Sequence, residues 1–543
     1  MKRSPVIRRY FLLLACSAVI AGCETVPTES SSKTGAPSGG KPATETIAST
    51  APNHSKPASN SAAPAAPAVD LWARIRDGYA IPDHNNARVK QQFSAYAGRK
   101  DYWLRVSERA TPYLHLIVEA IDERGLPQEL ALLPVVESGF QPFAYSHGRA
   151  AGIWQFIPAT GRHYGLKQNW WYDGRRDVTA ATEAALDYLT YLNEMFDGDW
   201  LLALAAYNAG EGTVSRAIKR NRQAGRATDY WSLDLPRETM HYVPRLLAVS
   251  EIVAHPERHD IALTPISNEP AVAVVDLEHQ VDLALAAELA EIDIETLYAL
   301  NPGFNRWATA PEGPHRLLLP YERASAFQAR LQETPSDAWM RWQRHRIAPG
   351  ETLGAIAGRY RISVSALQQA NDIDSHIIRA GDHLLVPVAS RPSEQYSLSA
   401  DARQAATQAS NRDNRTRRNH IVQAGESFWV IAQRYGVGVR ELAGWNGMAP
   451  TDTLAVGEQL AVWTNAQASA ATTSNSSRTV SPAERMQTVN YRVRQGDSLY
   501  AIAQRFNVSV NDLQRWNDIA TNRYLQPGQR LRMQVDVTAQ GAR

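Results

Sequence analysis

The sequence predicts a multidomain protein in which an all-α domain is followed by small α+β units of βααβ order. Three observations carry this. At 543 residues the chain exceeds what one core sustains, since single cores rarely grow past about 250 to 300 residues. From Leu71 to about His255 apolar residues recur at helical spacing, and alternating β-branched runs are rare. Beyond that stretch a pattern repeats: Gly350, Gly425 and Gly496 each stand 21 residues before an Asn, namely Asn371, Asn446 and Asn517.

Taken in order, residues 1–22 have Lys2, Arg3, Arg8 and Arg9 ahead of an apolar run from Tyr10 to Ala21, the charge and length pattern of a secretory signal. The run is too short for a membrane-spanning helix. Ile20 to Cys23 reads I-A-G-C and resembles the bacterial lipobox, which implies cleavage before Cys23 and acylation of its thiol. Glu24 stands where Asp would favour the inner membrane, so the resemblance implies the periplasmic face of the outer membrane. Residues 23–70 are dominated by Ser, Thr, Ala, Pro, Gly and Lys, too poor in large apolar side chains to form a core, and read as a tether.

Residues 71–257 form the helical domain. Ala184, Leu186, Tyr188, Leu189, Leu192 and Met195 populate adjoining faces of one helix, with Asp197-Gly198 as its stop. A second helix, beginning around Ala203, ends at Gly210. The centre of the domain is an apolar run, Leu130 to Val136, that leads directly into Glu137. Desolvation disfavours the charged form of a carboxyl group, so a Glu held against apolar walls keeps its proton near neutral pH and can act as a general acid. Four blocks surround it in sequence: E-S-G-F (Glu137–Phe140), G-I-W-Q-F (Gly152–Phe156), A-A-Y-N-A-G (Ala205–Gly210) and E-T-M-H-Y-V (Glu238–Val243). Together they resemble the catalytic domain of lytic transglycosylases related to goose-type lysozyme. The resemblance implies a lysozyme-like fold with Glu137 as the catalytic acid. It also implies substrate contacts from Ser146 and Gln155 near the acid and from Tyr207 and Asn208 at the cleavage point. Glu238 and Tyr242, four apart and so on one helix face, match a pair that orients the site. Phe156 stands where many relatives have Met.

Residues 258–337 carry Ala287, Leu297, Asn301 and Leu319-Pro320 in the spacing of the later repeats but lack the leading Gly, and read as a degenerate copy. The clear copies span 345–388, 419–463 and 490–533. Each has a helix N-cap, Thr352, Ser427 or Ser498, ahead of apolar residues at i, i+3, i+4 and i+7. A second helix carries Leu367, Leu442 or Leu513, and a strand led by Gly381, Gly457 or Gly528 closes the unit. This order resembles the LysM module, which implies binding to N-acetylglucosamine groups of peptidoglycan. Residues 389–418 and 464–489 read as flexible linkers, so that the modules move independently and add avidity. On this reading a chain ending near His255 keeps its activity on soluble fragments.

Several classes are excluded. With 57 basic and 55 acidic residues the net charge is +2, so there is no basic field for nucleic acid. The two cysteines, Cys16 and Cys23, both lie inside the first 25 residues, leaving no disulfide framework and no cysteine metal site. His255 and His259 have helical spacing, but Pro256 stands where a zinc protease has Glu. Neither a metal nor a cofactor is expected. The reading is a lipid-anchored lytic transglycosylase acting on peptidoglycan glycan strands, exolytically or endolytically, without consuming water. Its rivals are a hydrolytic muramidase, which needs a second acid or base to position water, and a wall-binding scaffold without catalysis, against which an intact Glu137, Tyr207 and Asn208 argue.

Overall fold

The computed structural model describes residues 70–82, 86–410, 412, 415–465, 486–493, 499, 502, 510–517, 519 and 529–536. The signal, Cys23, the tether, Ser498, Gly496 and Gly528 therefore lie outside the described residues. No helix among the described residues is long and apolar enough to cross a membrane.

The first domain is helical. At its centre lies the helix Trp200–Ala209, whose residues from Leu201 to Ala206 are all buried, so it has no polar face to present to water. Asp199 opens it by accepting from the amides of Leu201 and Leu202, and Gly210 at φ +81° ends it. It starts at Trp200, earlier than the sequence suggests, because the Asp cap and not the apolar spacing sets the start. The helix Val178–Met195 packs beside it, capped by Asp177, and the helix Arg237–Ala254 crosses both the acid segment and the N-terminal helices. The apolar run before Glu137 folds as a 3-10 turn, Gln128–Leu132, followed by the short helix Leu133–Glu137. Its side chains from Leu130 to Leu133 are fully buried.

Four antiparallel strand pairs follow: Val272–Asp276 with Arg316–Pro320, Arg341–Arg346 with His383–Val388, Arg415–Ile421 with Gln459–Asn465, and Met486–Arg492 with Arg530–Asp536. In the first three, two short helices lie between the paired strands. Thr352 and Ser427 cap their helices as expected, accepting from the amides of Ala355 and Val430. The spacing from Gly to Asn has a physical cause at each end. Gly350 and Gly425 both sit at φ +83°, open to glycine at no steric cost. The Asn is a clasp between the second helix and the closing strand. Asn446 Nδ2 donates to the carbonyls of Leu442 (2.8 Å) and Ala461 (2.9 Å), and its Oδ1 accepts from the Ala461 amide (2.7 Å). Asn371 and Asn517 make the same three bonds in their units. So does Asn301, to Leu297 and to both backbone groups of Leu318, which makes residues 272–320 a fourth βααβ unit despite the missing glycine. Every polar atom of the buried amide is thus used, and each such bond contributes about 1 kcal/mol net but costs more if left unmade.

The stretch 389–418 is not the loose spacer that its composition suggests. The Ser390 amide and the Tyr396 hydroxyl both bond the Asp282 carboxylate at 3.0 Å, and the helix Ala400–Ala409 follows, its first amide bonded to the Asn305 carbonyl. The guanidinium of Arg403 lies 4.4 Å over the ring of Phe143 in the helical domain. Ala and Gln favour helix as readily as they favour coil, and two anchoring side chains are too few to register as a pattern. The next strand begins at Arg415, before the expected boundary at 419. The unit at 272–320 and the first LysM unit share one core: the apolar cluster of 272–331 continues without a break into Trp339, Met340, Ile347 and Leu353. The third unit also touches the helical domain, where Asp452 pairs with Arg149 (2.8 Å) and accepts from the Tyr145 hydroxyl (3.1 Å).

Candidate active site

The helix Leu133–Glu137 terminates because Ser138 leaves the helical region and Gly139 and Phe140 both take positive φ, at 59° and 56°. A left-handed Phe is strained. Here the strain is offset by complete burial of its ring. Glu137 is consequently the last residue of a buried rod, with its carboxyl at the floor of a cleft of about 550 Å³. Ser146, Gln155, Tyr207, Asn208, Glu238 and Tyr242, each singled out from the sequence, line that same cleft.

The elements that carry these side chains are fixed to one another. In the turn after Glu137, Ser138 Oγ donates to the Ile153 carbonyl (3.1 Å) and Ser146 Oγ accepts from the Ala150 amide (3.0 Å). Gly152, at φ +78°, has no room for a Cβ, which would lie 2.0 Å from the Arg175 carbonyl oxygen. Gln155 is itself left-handed at φ 52° and returns its Nε2 to the Gly152 carbonyl (2.8 Å). Tyr207 donates to the Trp154 carbonyl (2.9 Å), and Trp154 Nε1 donates to Thr182 Oγ1 (3.0 Å). Trp154 and Phe156 are both core residues, with Phe156 edge-on to Tyr207 under the cleft floor. Asn208 is tied to the next block, its Oδ1 accepting from the Thr239 hydroxyl (2.8 Å).

The bond that sets the chemistry is from the Tyr242 hydroxyl to Glu137 Oε1, at 2.5 Å. Burial pushes the Glu137 pKa up to about 7; the Tyr242 bond works against this, the nearby Glu238 carboxylate adds to it, and Arg245 opposes it. With Oε1 accepting from Tyr242, the proton of the acid form belongs on Oε2. Tyr207 and Tyr242 are themselves held well above the usual phenol range, by burial first and by Glu137 second, so both remain donors.

Two features were not read from the sequence. Arg245, one turn beyond Tyr242, also lines the cleft, but a lone Arg outside the four blocks gives no signal. The buried pair Asp173 and Arg175 braces the loop under the site: Arg175 Nε and Nη2 bond the Asp173 carboxylate at 2.9 and 2.8 Å, and Nη1 donates to the carbonyls of Arg149 and Phe156. The dipeptide spacing of charges looks like surface until the backbone carbonyls are in place. Among the described residues no cluster of His, Cys, Asp and Glu is arranged to hold a metal ion.

Residues 116–229 match the family model of the transglycosylase SLT domain, 271–336 that of the LysM-like domain of lytic transglycosylase MltD, and 345–387, 420–463 and 491–534 that of the LysM domain. Membrane-bound lytic murein transglycosylase D of Escherichia coli K12 is 38% identical over 408 residues, 73% of this chain and 86% of that one. The chain belongs to the lytic murein transglycosylase D family. The Escherichia coli O6:H1 protein of that name matches to the same extent, and the autolysin of Enterococcus faecalis is 29% identical over 176 residues, 32% of this chain and 22% of that one. As a lytic murein transglycosylase D relative, the chain is a lytic transglycosylase with peptidoglycan-binding LysM domains. Membership of the lytic murein transglycosylase D family removes the non-catalytic scaffold from consideration. The same membership gives the fourth βααβ unit, at 271–336, a LysM-like model of its own.

Proposed function

We propose that Glu137 alone performs both proton transfers in breaking the β-1,4 bond between N-acetylmuramic acid and N-acetylglucosamine. The single observation that carries this is a carboxyl group with its pKa at about 7, one oxygen of which is occupied by Tyr242. In the first step Glu137 gives its proton to the glycosidic oxygen, the C1–O bond breaks, and N-acetylglucosamine leaves with a new 4-hydroxyl. The N-acetyl oxygen of the muramic acid stabilises the cationic C1. In the second step the Glu137 carboxylate takes the proton of the muramic acid 6-hydroxyl, whose oxygen bonds to C1. The products are a 1,6-anhydro end and a regenerated acid, and no water is consumed. A pKa near the working pH suits a group that must both donate and accept. Tyr207 and Asn208 hold the sugar at the cleavage point, with Ser146 and Gln155 beside the acid. Glu238, four residues before Tyr242 on the same helix, supports the protonated form.

Glu238 is also a second cleft carboxylate, the element a hydrolase would need. Cleavage of purified sacculi in ¹⁸O-labelled water separates the two. The expected product is an anhydro end, lighter by one water than a reducing end and free of label. A labelled reducing end would mean that water attacks.

The enzyme works in the cell envelope, and we infer that Cys23 carries the lipid that holds it on the periplasmic face of the outer membrane. The support is in the sequence: a signal-like segment before Cys23 and a coreless tether after it. One acyl chain binds a membrane only marginally, but several on one cysteine hold firmly. Cys23→Ser is expected to move the protein from the membrane pellet to the soluble periplasmic fraction; sedimentation unchanged from wild type would refute the anchor.

A further inference from the structure

The cleft does not end at Glu137. On the far side of the acid a second, open trough of about 570 Å³ runs on, sharing Val136, Glu137, Ser146, Gln155 and Arg245 with the first. Its cations are Arg99, Arg109 and Arg245, and among its lining residues Glu137 is the one carboxylate. The three arginines come from three elements: Arg99 from the turn before the helix Lys100–Ala110, Arg109 from the last turn of that helix, and Arg245 from the helix Arg237–Ala254. Among the described residues none of the three forms an ion pair, whereas Arg74, Arg124, Arg149, Arg175, Arg316 and Arg330 all do. Their internal bonds are few. Arg99 Nη1 donates to the Ala95 carbonyl (2.9 Å) and its guanidinium lies 5.9 Å over the Tyr102 ring; Arg109 Nη1 makes one long bond, 3.4 Å, to the Gly139 carbonyl. A guanidinium has five N–H donors in a fork that matches a carboxylate. Most of those donors remain free on the wall of the trough.

We propose that this trough is a subsite for a carboxylate on the muramic acid side of the substrate. The inference rests on the assignment of Glu137 as the acid. The bond that Glu137 breaks leaves from C1 of the muramic acid, so that ring lies against Glu137. Its lactyl group, at O3, is the sugar's one anionic substituent, and it either ends in a free carboxylate or continues by an amide bond into a peptide that carries several carboxylates. A trough with three cations that opens at the acid lies within one sugar ring of this substituent. The floor is stiff: Tyr102 donates to the Val135 carbonyl (3.0 Å), and Tyr96 is buried beneath. The arginines therefore hang from a preformed wall, and a carboxylate bound there fixes which way the muramic acid faces the acid.

The test compares the full-length wild type with the double variant Arg99→Gln, Arg109→Gln on two probes: glycan strands that keep their stem peptides, and the same strands stripped to the free lactyl carboxylate by an amidase. Arg245 is left in place because it acts on Glu137. Loss of two charged hydrogen-bonding contacts is expected to raise KM about tenfold or more, with the loss of kcat/KM carried by KM. A rise confined to peptide-bearing strands assigns the carboxylate to the stem, a rise confined to stripped strands assigns it to the lactyl group, and a rise on both means that the trough takes a carboxylate from either source. Arg99→Lys, Arg109→Lys is expected to recover only part of the loss, since the charge is kept but the fork is gone. The LysM domains bind both enzymes alike and cancel in the comparison. An unchanged KM on both probes, or a fall in kcat alone, would overturn the subsite. Failure of the wild type to produce anhydro ends would instead overturn the reading that Glu137 alone performs both proton transfers, and the two failures are distinguishable in one experiment.

Discussion

Glu137→Gln is expected to reduce turnover of sacculi by at least about 10³-fold, because a general acid is worth roughly 10² to 10⁴ and this residue acts twice. The same substitution is expected to stabilise the protein at alkaline pH, and the sign follows from the burial of the acid. Its pKa is raised from 4.5 to about 7 in the folded chain. The folded state therefore holds a proton that the unfolded chain releases above pH 4.5. The stability this provides is complete below that value and is lost as pH rises to 7. Above 7 the wild type holds an ionised carboxylate in a desolvated site, at a cost of about 3 kcal/mol. Gln keeps the shape and still accepts from Tyr242 but never ionises. Chemical denaturation at pH 8 should accordingly find the variant more stable than wild type, with the gap closing below pH 4.5. The wild-type kcat/KM should fall as pH rises through about 7, as the acid form is lost. A variant that melts earlier than wild type at pH 8 would show that Glu137 is not desolvated, and one that still cleaves within tenfold would show that it is not the acid.

The sequence made the acid legible for a physical reason: an apolar run long enough to be buried can end in a carboxylate only if something forces that carboxylate to stay. The cleft residues were legible through resemblance alone, since nothing in the spacing of Ser146, Gln155 and Tyr207 places them on one wall. What brings them together is backbone geometry, with Gly152 and Gln155 at positive φ and Ser138 reaching across to Ile153. None of these is visible in composition. The repeats were legible because each depends on one Gly and one Asn at fixed separation, and the unit at 272–320 was harder to read because only the Asn survives in it. The strap at 389–410 was misread because its anchors, Tyr396 and Arg403, bind partners far away in sequence, Asp282 and Phe143. Arg99 and Arg109 drew no notice for the opposite reason: unpaired surface-like cations are conspicuous only once a trough surrounds them.

A chain truncated at His255 is expected to lose its cooperative fold, although the helical pattern of the sequence ends there. The reason lies on the face that residues 272–320 cover. Trp171 and Tyr172 are 2% and 3% exposed in the intact chain, and their burial depends on Phe304 and Trp307. The backbones interlock as well: the Asp173 amide bonds the Gly303 carbonyl at 2.8 Å, the Asn305 amide bonds the Trp171 carbonyl at 2.8 Å, and the Tyr113 hydroxyl donates to the Ala299 carbonyl. Gly303 is pressed so close to Tyr172 that a Cβ there would lie 2.7 Å from the ring. Leu300 and Leu318 belong to the apolar core of the helical domain itself. Re-exposing two large aromatic side chains costs about 2 to 3 kcal/mol each, and exchanging the interlocking hydrogen bonds for water adds about 0.5 to 1.5 kcal/mol apiece. The total is comparable with the whole stability of a domain, about 5 to 15 kcal/mol. A chain ending at Ser410 keeps this interface, the shared core with the first LysM unit and the strap, and is expected to melt cooperatively and to cleave soluble glycan fragments. The His255 chain is expected to bind ANS, to melt without a sharp transition and to lose that cleavage. A monomeric, cooperatively melting and active chain ending at His255 would make the LysM-like unit an accessory of the catalytic domain and not part of its core.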